Sequence, residues 1–105
     1  MATLYRSTRD ASANSISSSQ PFFSDFTEDE LRSCINSAYG SNFTSEEITP
    51  VSYHAGNIYL ELFHGPTIAF KDVALQLLPY LLITSAKKNN SNLKNVILTA
   101  TSGDT

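Results

Sequence analysis

The run His64, Gly65, Pro66, Thr67, Ile68, Ala69, Phe70, Lys71, Asp72 delivers a lysine to the start of an apolar stretch that continues from Val73 to Ile83. A lysine in that place is set against its own charge. At the head of a helix its ammonium meets the positive end of the dipole, and the apolar surface beside it solvates charge poorly, so both effects favour the neutral amine. The neutral amine is the form that attacks a carbonyl to make an imine; an unperturbed lysine, with a pKa of about 10.4, stays protonated at neutral pH and is not a nucleophile. Asp72 counteracts part of this. The same residues also suit a lysine whose stem follows the helix while its ammonium reaches water, and local physics leaves both readings of Lys71 open.

A second group follows the apolar, β-branched run Val96 to Thr101 (VILTAT): Ser102, Gly103, Asp104 and Thr105. Beyond the carboxyl end of a strand, a glycine lets the backbone approach a ligand, while hydroxyls and amide N–H groups hold an anion such as a carboxylate or phosphate. An ordinary strand-to-helix turn, with Ser102 or Asp104 as its N-cap, would use the same residues.

These groups need elements to hold them. Leu4 to Ser7 reads as a short strand, and residues 11–20, nearly all Ser, Ala and Asn, as a flexible connection. Thr27 with Glu30 forms a capping box, and Leu31, Cys34, Ile35 and Ala38 then recur on one helical face, with Gly40 placed for a left-handed C-cap. That spacing makes Cys34 a core residue rather than a nucleophile. Thr44 with Ser45, Glu46 and Glu47 predicts a second, shorter helix ended by Pro50. Val51–His54 and Ile58–Phe63 predict a hairpin turning at Ala55, Gly56 and Asn57, with Ile58, Leu60 and Leu62 on a buried face. From about Phe70 a helix places Val73, Ala74, Leu77, Leu78 and Leu81 on one stripe, with Leu75 and Leu82 on the other side. Pro79 must kink it or change its partners. A helix apolar nearly all round belongs inside a larger protein, so its packing partners are expected outside these 105 residues.

Composition narrows the classes. A chain of 105 residues with 41% hydrophobic content is globular, but at this size about two thirds of the unfolded surface is buried, which leaves little for an enclosed cofactor cavity; a fragment is expected. A net charge of −3 with scattered Lys and Arg offers no basic patch, so no nucleic-acid partner is expected. The longest apolar run is interrupted by Gln76 and Pro79 and falls short of the roughly 20 residues a membrane helix takes, and no apolar leader follows the first charges. One cysteine, Cys34, makes neither an intramolecular disulfide nor a multi-cysteine metal site, which suits a cytoplasmic protein without metal.

Taken in order, LYRSTRD (Leu4 to Asp10), ELFHGPTIAFKD (Glu61 to Asp72) and TATSGDT (Thr99 to Thr105) resemble threonine synthase. The resemblance implies an α/β chain: the N-terminal portion of a fold-type II, tryptophan-synthase-β-like enzyme using pyridoxal phosphate. Residues 1–50 would be the small N-terminal region and residues 51–105 the beginning of the cofactor domain. It implies conversion of O-phospho-L-homoserine and water to L-threonine and phosphate. Lys71 would bind the cofactor as an imine and, once released, act as the base at the substrate's α and β carbons. Phe70 would pack beside the cofactor, Asp104 would lie near its ring hydroxyl, and Ser102, Gly103 and Thr105 would hold the substrate carboxylate.

The sequence departs from the family where SISSSQ runs directly into PFFSDF, shortening the stretch after the opening. The family's glycine-rich phosphate cradle and the residue facing the pyridine nitrogen lie beyond Thr105. The 105 residues alone are therefore expected to be inactive. Two other readings stand beside this one: a threonine-synthase-like enzyme acting on a different phosphorylated substrate, and a catalytically empty interaction module that docks through the Thr27–Tyr39 helix and the hairpin.

Overall fold

A computed structural model of the chain describes residues 23–103. The LYRSTRD opening, the expected strand Leu4–Ser7, the stretch 11–20, Asp104 and Thr105 lie outside the described residues.

Helix α1 spans Glu28–Ala38. The capping box forms as expected: the Thr27 N–H donates to Glu30 Oε2 at 2.8 Å, and the Glu30 N–H donates to Thr27 Oγ1 at 3.2 Å. The apolar stripe lies inward, and Leu31, Cys34, Ile35 and Ala38 are buried together with Phe43. Gly40 does not end the helix in the left-handed region. The chain leaves at Tyr39, with φ −116° and its N–H still bonded to the Ile35 carbonyl. Asn42 Nδ2 donates to the Ala38 carbonyl at 3.0 Å while its Oδ1 accepts the Gly40 N–H at 3.0 Å, so a side chain does the capping that a left-handed glycine would do.

Where a second helix was expected after Thr44, the chain makes turns. The Thr44 N–H is already used by the His64 carbonyl at 2.9 Å, and the Ser45 hydroxyl accepts the Glu47 N–H at 3.3 Å. Local side-chain bonds of this kind compete with helix formation, and Pro50 leaves too little chain to recover it. Strands β1 (Val51–His54) and β2 (Asn57–Leu60) pair antiparallel, Val51 opposite Leu60 and His54 opposite Asn57. Ala55 (φ 48°) and Gly56 (φ 78°) are both left-handed, the backbone that suits the twist of a two-residue hairpin. Asn57 thus belongs to β2 rather than to the turn. The apolar face of the hairpin is not buried, contrary to its alternation: Ile58 and Leu60 are 69% and 59% exposed, because no described element stacks against them.

The long apolar helix is two helices. A single turn, α2 (Asp72–Leu75), is followed by α3 (Leu78–Lys88), with Pro79 in the first turn of α3, where a missing N–H removes no helical bond. Val96 to Thr101 forms no strand. Val96 and Leu98 are 82% and 97% exposed, and an extended run without a neighbouring strand has no ladder to join. α1 packs on α3, where Cys34 Sγ meets Thr84 Oγ1 at 3.4 Å and Lys88 Nζ pairs with Glu30 Oε2 at 2.7 Å.

Candidate active site

The segment after β2 is fixed before it reaches the lysine. His64 Nε2 lies 2.7 Å from Glu61 Oε2 and its Nδ1 lies 3.0 Å from Thr44 Oγ1, while the imidazole stacks on the Phe63 ring with centroids 4.6 Å apart. The Ser52 hydroxyl first, and then His64, hydrogen-bond the Glu61 carboxylate and hold its pKa below the ordinary carboxylate value.

From Gly65 to Asp72 the chain winds into a tight turn. The Ile68 N–H returns to the Gly65 carbonyl at 3.1 Å across Pro66 and Thr67, a position proline favours. Ile68 itself is left-handed, with φ 63°, an unfavourable backbone for a β-branched residue. Asp72, only 3% exposed, closes the turn: Oδ2 accepts the Thr67 N–H at 2.8 Å and Oδ1 accepts the Thr67 hydroxyl at 2.7 Å. Gly65 lies under that carboxylate, where an added Cβ would stand 2.4 Å from Asp72 Cβ.

Lys71 lies immediately before Asp72 as the N-cap of α2, its Nζ 5.8 Å from the centre of the Phe70 ring. Both residues line an open cavity of about 800 Å³ together with the α2 turn, Tyr39, Ala100, Thr101 and Ser102. The lysine run and the hydroxyl run, separate in sequence, thus face one space. Gly103, with φ 113°, donates its N–H to Thr101 Oγ1 at 3.1 Å and is not among the lining residues. Asp104 and Thr105 lie outside the described residues.

Tyr39 was not expected in the site. Its hydroxyl donates to the Val73 carbonyl at 2.5 Å, and burial pushes its pKa up. That carbonyl is available because the Leu77 N–H bonds to Ala74 instead, at the break between α2 and α3. The one sequence signal for Tyr39 was its spacing: it continues the α1 stripe four residues after Ile35.

No protein-family model matches the chain. Threonine synthase-like 1 of Pongo abelii is 49% identical over 76 residues, which are 71% of this chain and 10% of that protein. Threonine synthase of Schizosaccharomyces pombe is 43% identical over 89 residues, covering 78% of this chain and 17% of the relative. A crystal structure of threonine synthase from Brucella melitensis with PLP bound superposes with a TM-score of 0.69 and 30% identity over 81% of this chain and 18% of that one. Over those residues the chain belongs to the threonine synthase family. The expected architecture, a mixed α/β portion of a fold-type II enzyme, stands with it, and the chain spans between a tenth and a fifth of the length of these relatives.

Proposed function

We propose that Lys71 anchors pyridoxal phosphate through Nζ, in a lyase that converts O-phospho-L-homoserine and water to L-threonine and phosphate. The observation that carries this reading is the single cavity shared by Lys71, Phe70, Thr101 and Ser102, in a chain similar to a threonine synthase with PLP bound. The residues present fit such a group, since the cavity wall offers a primary amine, a flat aromatic face and hydroxyls. When bound, the cofactor supplies an electron sink for the substrate carbons.

The chain's own residues do the rest. Lys71 Nζ takes the proton from the substrate's Cα and moves protons at Cβ. Over the whole conversion the Cγ–O bond breaks with release of phosphate, the oxygen of water bonds to Cβ, and a hydrogen moves from Cβ to Cγ. Phe70 would pack against the cofactor, and Asp104 would serve near its ring hydroxyl. Ser102, Gly103 and Thr105 orient the substrate by its carboxylate. Residues 51–105 form the beginning of the cofactor domain and residues 1–50 the small region before it. Among the described residues no helix is long and apolar enough to cross a membrane, and buried, unpaired Cys34 accords with a cytoplasmic enzyme.

The test is borohydride reduction of the intact protein with pyridoxal phosphate, followed by peptide mapping. Labelling of Lys71, and its loss in Lys71→Ala, supports the reading; an intact protein that takes no label there refutes it. A second reading, a threonine-synthase-like enzyme with another phosphorylated substrate, is favoured by the higher identity to the threonine synthase-like relative, 49% against 43%. Phosphate release from phosphohomoserine in step with threonine supports the first reading; no turnover of phosphohomoserine, with phosphate released from a related phosphorylated amino acid, supports the second.

A further inference from the structure

The turn that presents Lys71 is held by a carboxylate that the proposed chemistry does not use. Asp72 is 3% exposed and spends both oxygens on one residue, Thr67, five positions earlier. Its Cβ, Cγ and Oδ2 fill the space where Gly65 has no side chain, all within 2.7 Å of where a Cβ would be. Between the two partners sits Ile68, in a backbone region that a β-branched residue enters only when its surroundings over-determine it. The Asp72 N–H also bonds to the Ala69 carbonyl at 3.0 Å, and the Asp72 carbonyl accepts the Gln76 N–H at 3.0 Å. Backbone and side chain of one residue therefore tie the turn before Lys71 to the helix after it.

We infer that Asp72 is a positioning residue: its carboxylate, clamped to Thr67 and seated over Gly65, sets the direction in which Lys71 enters the cavity. An amine held by a rigid turn reaches a bound aldehyde from one direction, whereas the same amine on a loose turn samples many. Asn at position 72 keeps the size but replaces one acceptor oxygen with a donor, so the Thr67 hydroxyl must reverse from donor to acceptor to keep its bond, and the charge that strengthens both bonds is gone. Val at position 67 removes the hydroxyl bond and keeps the shape and the N–H bond. Ser at position 67 keeps both donors.

The inference rests on the assignment of Lys71 as the cofactor anchor, and one experiment separates the two. The intact protein and its Asp72→Asn, Thr67→Val and Thr67→Ser variants are reacted with pyridoxal phosphate and borohydride. Label at Lys71 is counted against Lys87, Lys88 and Lys94, and thermal unfolding is recorded in parallel. Expected is a fall of about tenfold in the Lys71 share for D72N, a smaller fall for T67V and none for T67S, with the other lysines unchanged. Wild-type labelling at Lys71 that D72N and T67V leave intact overturns the role of Asp72 alone. Absence of wild-type label at Lys71 overturns both statements. If D72N does not fold, T67V decides: a selective loss at Lys71, restored in T67S, supports the role, and unchanged labelling refutes it.

Discussion

A Cβ on Gly65 would stand 2.4 Å from Asp72 Cβ and 2.7 Å from its Cγ, atoms fixed by the α2 backbone rather than by the free end of a flexible side chain. Gly65→Ala must therefore push the turn apart, an overpacking that costs about 1–3 kcal/mol, and a urea titration of the intact protein checks it by a lowered midpoint. Ile68 makes the opposite case. Left-handed backbone costs an ordinary L-residue roughly 1–2 kcal/mol, whereas Asn tolerates it, and Ile68 is 72% exposed and loses little burial on replacement. Ile68→Asn is expected to raise stability by about 1 kcal/mol, and a lowered melting temperature would count against the strain. The sequence made the lysine legible because glycine, proline and threonine before an apolar helix announce a turn, and a lysine at its end is out of place. The clamp was not legible. Nothing in the types of Thr67 and Asp72 says that they bond each other, and an isoleucine argues against the left-handed residue that the turn contains.

Among the elements, the hairpin depends on a carboxylate whose protonation can be followed. Ser52 on β1 and His64 after β2 both hydrogen-bond Glu61, Ser52 contributing more, and the folded pKa lies below the ordinary value. A depressed folded pKa gives stabilisation that is complete above the pKa of the unfolded carboxyl and is lost as pH falls through the folded value. Glu30, lowered chiefly by Lys88 at the contact of α1 with α3, contributes in the same sense. Stability should therefore fall in acid below the ordinary carboxylate range, and Glu61→Gln should flatten that limb by the hairpin's share. An acid limb of unchanged slope in E61Q would show that the Ser52 and His64 bonds add nothing. Element by element, the capping box and the α1 stripe were readable because they are local patterns of a few residues. The helix expected after Thr44 failed because His64, distant in sequence, engages the hydroxyl that would have capped its first turn. The strand expected at Val96 failed because strand pairing is a property of a neighbour.

At the scale of the whole molecule, apolar surface is the unresolved demand of this sequence. Ile58 and Leu60 on the hairpin and Leu82 and Ile83 on α3 stand exposed, as do Leu93, Val96 and Leu98 in the segment leading to the cavity. A soluble monomer rarely shows contiguous apolar patches beyond a few hundred Å². The near-continuous hydrophobicity of the α3 region gave this away in the sequence, although it could not say which faces would stay open. Two consequences follow for the 105-residue polypeptide on its own. It should self-associate, with a weight-average sedimentation coefficient that rises with concentration and with dye binding typical of exposed apolar surface. It should also form no threonine from phosphohomoserine, because the cavity at Lys71 is open, whereas a site that holds a small molecule encloses most of its surface. Charged replacements at Leu98 and Ile58 separate this account from general misfolding. Both residues are exposed, so L98K and I58K should weaken self-association without lowering the melting temperature. A polypeptide that stays monomeric at high concentration, or charged variants that associate as strongly as the original, would remove the open apolar faces as the cause.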